Sequence, residues 1–145
     1  MKKAVIVSGY FNPLHKGHIE YFNLAKKGFD FLIVIVNNDK QRKLKGSKEF
    51  MKQDERKLII NSLEIVDKVY LSIDKDRSVN KTIQEIHSDW ISKYELCFAN
   101  GGDQDNESIP EKKTCNNLGI KLIDNLNLVE NFLCEEMESL DIPTI

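Results

Sequence analysis

Short runs of consecutive apolar residues alternate along this chain with stretches in which apolar positions recur every three or four residues. Ala4 to Val7 is an unbroken, largely β-branched run closed by Ser8-Gly9, the pattern of a short strand buried on both faces. From Lys16 the period changes. Ile19, Phe22 and Ala25, with Tyr21, Leu24 and Gly28 beside them, recur at helical spacing. Phe29-Asp30-Phe31 leads into a second run, Leu32 to Val36, which Asn37-Asn38-Asp39 ends. The pattern then predicts a helix over 54–64 with Leu58, Ile59 and Leu63 inward, and a strand over 66–73 carrying Val69, Leu71 and Ile73. An amphipathic helix over 80–91 follows, through Ile83, Ile86, His87 and Trp90. A strand over 96–99, a helix over 111–118, a strand over 120–123 and a last helix over 128–140 complete the series.

This rhythm predicts the α/β class: a single Rossmann-like domain with a parallel sheet of about five strands and helices on both faces. No repeat and no Ser/Gly- or Pro-rich linker interrupts it. The expected organisation is an α/β domain over 1–124, with 125–145 as a C-terminal helix and tail packed on it. Such sheets bind ligands at the carboxyl ends of their strands, where the strand order reverses. The connection over 37–52 carries Lys40, Arg42, Lys43, Lys45, Lys48 and Lys52. A charge run of this kind reads as a solvated loop, apart from Lys45, which precedes Gly46-Ser47.

Composition narrows the picture. A chain of 145 residues, 41% hydrophobic and 30% charged, can bury a real core. A net charge of −2 argues against a basic surface for nucleic acid. Met1-Lys2-Lys3 before an apolar run has a faint look of a leader, but the run breaks at Ser8-Gly9, and no stretch approaches a bilayer span. Cys97, Cys115 and Cys134 are odd in number, widely spaced and without metal-ligand pattern, so free thiols in a cytoplasmic protein are expected.

Chemistry concentrates in Ser8-Gly9-Tyr10-Phe11-Asn12-Pro13-Leu14-His15-Lys16-Gly17-His18, between the first strand and the first helix. A helix start offers unpaired N–H donors and roughly half a positive charge, an anion site. His15 and His18 flank Gly17 there, and imidazoles donate hydrogen bonds to phosphate oxygens near neutral pH. Gly9 allows close backbone approach, and Gly17 leaves space between the rings. Phe11 reads as packing, while Tyr10 either walls a pocket or packs beneath the sheet.

His15-Lys16-Gly17-His18 resembles the H-x-G-H signature of the nucleotidyltransferase superfamily, which includes cytidylyltransferases and mononucleotide adenylyltransferases. The resemblance implies transfer of an NMP group, CMP before AMP, from an NTP to a phosphorylated acceptor with release of pyrophosphate. It implies His15, His18, Lys45 (with Lys43 in reserve) and Arg56 as catalytic groups, and Gly9, Tyr10, Phe11, Asn12 and Gly17 around the nucleotide. It also implies Mg²⁺ on the triphosphate, no metal ligands from the protein itself, no nucleic-acid or membrane partner, and a homodimer.

The cytidylyltransferase branch usually has Asp where this chain has Asn12. Gln53-Asp54-Glu55-Arg56 is similar to the family's E-R element, whose arginine reaches toward phosphates or acceptor. Gly101-Gly102-Asp103, after the predicted fourth strand, is similar to a G-G-D element, implying contacts to ribose or a hydrated metal. The same residues also suit a simple turn. One departure stands out. The family's Ser/Thr-rich turn after the fifth strand is replaced by Asp124-Asn125-Leu126-Asn127-Leu128-Val129-Glu130. A catalytically degenerate nucleotide-binding or regulatory protein of the same fold is therefore the alternative reading.

Overall fold

A computed structural model of the chain describes residues 1–99 and 109–123. Its elements are β1 (Lys2–Gly9), α1 (Lys16–Lys26), β2 (Phe31–Val36), α2 (Asp39–Lys45), α3 (Gln53–Asn61), β3 (Lys68–Leu71), α4 (Asn80–Trp90), β4 (Tyr94–Ala99), α5 (Lys112–Leu118) and β5 (Lys121–Ile123). Neighbouring strands all pair in parallel, in the order β3-β2-β1-β4-β5. The order reverses between β1 and β4, which opens a crevice at their carboxyl ends.

Two cores explain why the apolar runs are unbroken. Val5, Val7, Leu32, Val34 and Val36 face Phe22, Leu24 and Ala25 of α1 and Ile60 of α3. Ala4, Ile6, Ile33 and Ile35 face the other way, onto Ile83 and Ile86 of α4 and Cys115 of α5. Ala4 to Val7 of β1 and Leu32 to Val36 of β2 are buried on both faces. Each buried Val, Leu or Ile contributes about 2 kcal/mol, so the sheet centre is where the fold is best anchored.

Three expectations are corrected. Leu58 is 65% exposed, and the inward positions of α3 are Arg56 and Ile60, one helical turn apart. Ile73 is 54% exposed because β3 ends at Leu71. The lysine-rich connection is not all loop. Asn38 caps α2: its side chain accepts from the Gln41 amide at 2.9 Å, and the Gln41 side chain accepts from the Asn38 amide at 3.0 Å. Gly46, at φ 83, closes the helix by bonding back to Arg42 and Lys43. Two caps thus make a helix where no apolar period announces one. Trp90 packs at a tilt against Phe31 and Tyr94, which stack on each other toward the amino ends of the strands, away from the crevice. Cys97 and Cys115 are buried free thiols. Cys134 and the expected C-terminal helix lie outside the described residues. No described helix is long and apolar enough to cross a membrane.

Candidate active site

The turn between β1 and α1 is fixed before any ligand arrives. The Gly9 carbonyl accepts the Asn37 amide at 2.9 Å, holding the ends of β1 and β2 level. Phe11 takes a left-handed backbone, φ 51, yet is only 1% exposed. That conformation costs a non-glycine residue about 1–2 kcal/mol, and burying a phenyl ring recovers about as much or more. The ring meets His18 edge-on at 5.1 Å and Phe22 at 5.3 Å. Phe11 therefore acts on the site by supporting His18 from below.

The two histidines cap α1 with each other. His15 Nδ1 accepts the Gly17 amide at 3.0 Å, and His18 Nδ1 accepts the His15 amide at 3.1 Å. This is the reciprocal geometry of a Ser-x-x-Glu capping box with imidazoles in both places. The consequence is chemical. A nitrogen that accepts a hydrogen bond carries no proton, so each neutral ring holds its proton on Nε2 and presents it as a donor. The rings lie 4.0 Å apart, tilted by 34°. His18 is 7% exposed, and its pKa is lowered to about 4, first by burial and then by the neighbouring His15. At neutral pH the site thus offers His18 as a neutral donor.

Arg56, expected to reach toward phosphate, is instead completely buried. Its Nη1 donates to the carbonyls of Tyr10 (2.7 Å) and Asn37 (2.6 Å), and its Nε to that of Met51 (3.1 Å). Its Nη2 pairs with the Asp39 carboxylate at 2.9 Å. Burial alone would raise the Asp39 pKa, but the Arg56 bond and the Gln53 amide hold it below its ordinary value. The guanidinium joins the ends of β1 and β2 to the start of α3. Asn12 likewise faces protein. Its amide donates to the Lys48 carbonyl at 2.7 Å and accepts from the amides of Phe50 and Met51 at 3.0 Å each. An aspartate has no N–H for the first of these contacts, which gives a local reason for asparagine here.

Lys45 ends α2 with its Nζ 4.4 Å from the centre of the Tyr10 ring. Its pKa is lowered by partial burial and by the charge of Arg77, a residue the sequence pattern did not single out. Burial also raises the Tyr10 pKa, against the opposing influence of Arg77. Lys43 is exposed. On the β4 side, the Tyr21 hydroxyl of α1 donates to the carbonyl of Ala99 at 3.3 Å, tying the helix to the far wall of the crevice. Gly101, Gly102 and Asp103 lie outside the described residues. Gly9, Tyr10, Gly17, the histidines and Lys45 thus gather at one edge of the sheet, while Arg56, Asn12 and Phe11 build the frame that holds them.

Comparison with known proteins places this geometry in context. The sequence profile of the cytidylyltransferase-like family matches residues 6–141. An FAD synthase of Picrophilus torridus is 34% identical over 117 residues, covering 80% of this chain and 77% of that protein. The crystal structure of the lipopolysaccharide core biosynthesis protein from Thermoplasma volcanium aligns with a TM-score of 0.68 at 25% identity, covering 86% of this chain and 96% of that one. A bifunctional NMN adenylyltransferase/ADP ribose pyrophosphatase from Francisella tularensis, solved with AMP and a manganese ion, shares the fold. Its TM-score is 0.60 at 15% identity, over 90% of this chain and 40% of that one.

Proposed function

The chain belongs to the cytidylyltransferase-like family, and from that premise we propose that it moves a nucleoside monophosphate from an NTP to a phosphorylated small molecule. The observation that carries this reading is the imidazole pair, with both Nδ1 atoms engaged by the backbone and both Nε2–H groups left as donors at the start of α1.

In the reaction an oxygen of the acceptor phosphate attacks the α-phosphorus, the bond from that phosphorus to the α–β bridging oxygen breaks, and pyrophosphate leaves. No protein nucleophile is required, so positioning and charge stabilisation carry the catalysis. His15 and His18 donate to oxygens around the breaking bond. The N-terminus of α1 and Lys45 steady the departing pyrophosphate or the incoming phosphate. A divalent ion such as Mg²⁺ would arrive with the triphosphate rather than on protein ligands, and would supply charge neutralisation there. Among the described residues no group of three or more His, Cys, Asp or Glu gathers to hold a metal, and no step here is assigned to one.

The relationship to an FAD synthase supports AMP as the transferred group, the alternative to the CMP favoured from sequence. The second reading, binding without chemistry, draws on the absence of serine and threonine from 124–130. Pyrophosphate release should be measured with ATP and with CTP against FMN, nicotinamide mononucleotide, glycerol 3-phosphate and a sugar phosphate. Turnover with one pair supports transfer. Saturable NTP binding with no turnover on any acceptor would establish the binder instead.

A further inference from the structure

Tyr21 occupies a place in α1 that a phenylalanine could fill. It is fully buried in the core between α1 and the sheet, among Val7, Phe22, Ala25, Cys97, Ala99 and Ile123. Among the described residues of that core it carries the one hydroxyl. A buried phenol needs a partner for its O–H, and this one finds it in the carbonyl of Ala99, at 3.3 Å. Burial pushes the Tyr21 pKa far above its ordinary value, so the hydroxyl keeps its proton and remains a donor.

Ala99 is where the sheet divides. β1 pairs with β2 as far as Gly9 and Val36, but with β4 only as far as Ile6 and Phe98. β4 keeps its other neighbour one residue longer, Ala99 pairing with Ile123 of β5. From Val7 onward β1 has therefore parted from β4, at the place where the strand order reverses. The Tyr21 hydroxyl meets β4 at the first residue past that last pair.

At its other end the tyrosine belongs to the turn of α1 that carries His18, three residues earlier on the same side of the helix. Phe22 holds this turn from the β1 side through its edge contact with Phe11 at 5.3 Å, and Phe11 in turn meets His18. His18 is thus braced toward β1 by the phenyl pair and toward β4 by the tyrosine. The hydroxyl brings no apolar contact, so packing alone leaves it unexplained. What it brings is a fixed spacing between the histidine turn and the end of β4.

We propose that Tyr21 is a positioning residue for the nucleoside triphosphate, its bond to Ala99 setting the width of the crevice between the His18 turn of α1 and the end of β4. This deepens the nucleotidyltransferase reading and rests on it. Tyr21 is 0% exposed, so it offers no surface to a ligand and acts only through the two walls it joins. Without the bond those walls are free to part. A nucleotide must then restore their spacing from its own binding energy, and apparent affinity falls with the fraction of molecules still correctly spaced.

The test is calorimetric titration of ATP and CTP, each with Mg²⁺, into the wild-type chain, Tyr21→Phe and Ile86→Val. Ile86 is fully buried on α4 in the opposite core and controls for loss of stability alone. One hydrogen bond and one buried methylene contribute about equally, so thermal unfolding should show both variants folded, with Tm lower by about 2–4 °C. Tyr21→Phe should weaken the favoured nucleotide about fivefold, ~1 kcal/mol, while Ile86→Val binds it as wild type does. Amide hydrogen exchange over residues 97–99 should quicken in free Tyr21→Phe and match wild type once both are saturated with nucleotide. Where turnover is found, the same factor should enter KM for the nucleotide rather than kcat. Wild-type affinity in Tyr21→Phe, an equal loss in Ile86→Val, or unaltered exchange over 97–99 would each overturn the proposal and leave the enzyme reading intact. Nucleotide binding that depends on Tyr21, with no turnover on any acceptor, keeps the positioning role and removes the enzyme. A wild-type chain that binds neither nucleotide ends both.

Discussion

Replacing Arg56 separates a framework arginine from a ligand-binding one. The guanidinium is wholly buried, donating three bonds to main-chain carbonyls and one to Asp39. Arg56→Ala leaves the Asp39 carboxylate without its cation and three carbonyls without donors. Breaking a buried pair from one side costs about 3–5 kcal/mol, and water entering the vacated space recovers only part of the lost carbonyl bonds. Against a typical domain stability of about 5–15 kcal/mol, the expected loss of about 4 kcal/mol should lower Tm by roughly 12 °C. Arg56→Lys keeps the charge but has three N–H donors for four contacts, without the planar fork, so a loss of about 2 kcal/mol is expected. Urea denaturation followed by circular dichroism reads both, with the midpoint falling and the slope unchanged. An Arg56→Ala protein with wild-type midpoint and weakened triphosphate binding would refute this reasoning, because only a side chain turned outward behaves that way.

The remaining expectations concern the turn and its histidines. His18→Asn keeps an acceptor near the Nδ1 position for the His15 amide but deletes the Nε2 donor. It should fold normally and lose about 10²-fold or more in kcat, on the order of 3 kcal/mol; unchanged turnover would remove the imidazoles from catalysis. His18→Gln can place an amide donor near the Nε2 position while giving up the cap, so it should retain more activity and lose about 1 kcal/mol of stability. The His18 pKa of about 4 lies below the ordinary 6.5, so the unfolded chain takes up the proton first. Its stabilising contribution is complete above about pH 6.5 and is lost as pH falls toward 4, amounting to about 3 kcal/mol. Denaturation midpoints across that window should flatten in His18→Asn relative to wild type, and parallel slopes would contradict the assignment. Asn12→Asp should lose the bond to the Lys48 carbonyl and set like partial charges face to face, costing about 1–3 kcal/mol. Faster amide hydrogen exchange over residues 48–51 measures it.

The strands were legible because each interior position of β1 and β2 is apolar, as burial on both faces demands. The histidine turn was legible because glycine, proline and histidine cluster between a strand pattern and a helix pattern. Arg56 was legible as an element and misleading as a role. Its surroundings come from residues 10, 37, 39 and 51, and no local pattern tells that three carbonyls from separate segments converge on one guanidinium. Helix α2 did carry a signal, the Asn38-x-x-Gln41 capping box closed by Gly46, but the lysine count of that stretch outweighed it. Leu44, its one large apolar side chain, is 53% exposed and gave no period to read.

These cases share a cause. Connections at the carboxyl edge of a parallel sheet are irregular, and their carbonyls lack the ladder partners that strands provide. Gln41, Arg56 and Asn12 fill that deficit, sending side-chain donors into the carbonyls of residues 10, 37, 48, 51, 76 and 78. A donor committed in this way cannot also grip a ligand without releasing the loop it holds. Discriminating among polar residues by what their hydrogens already bind therefore separates frame from site better than residue type does. Substitution should follow that division: loss of stability first at Gln41, Arg56 and Asn12, and loss of ligand first at His18 and Lys45.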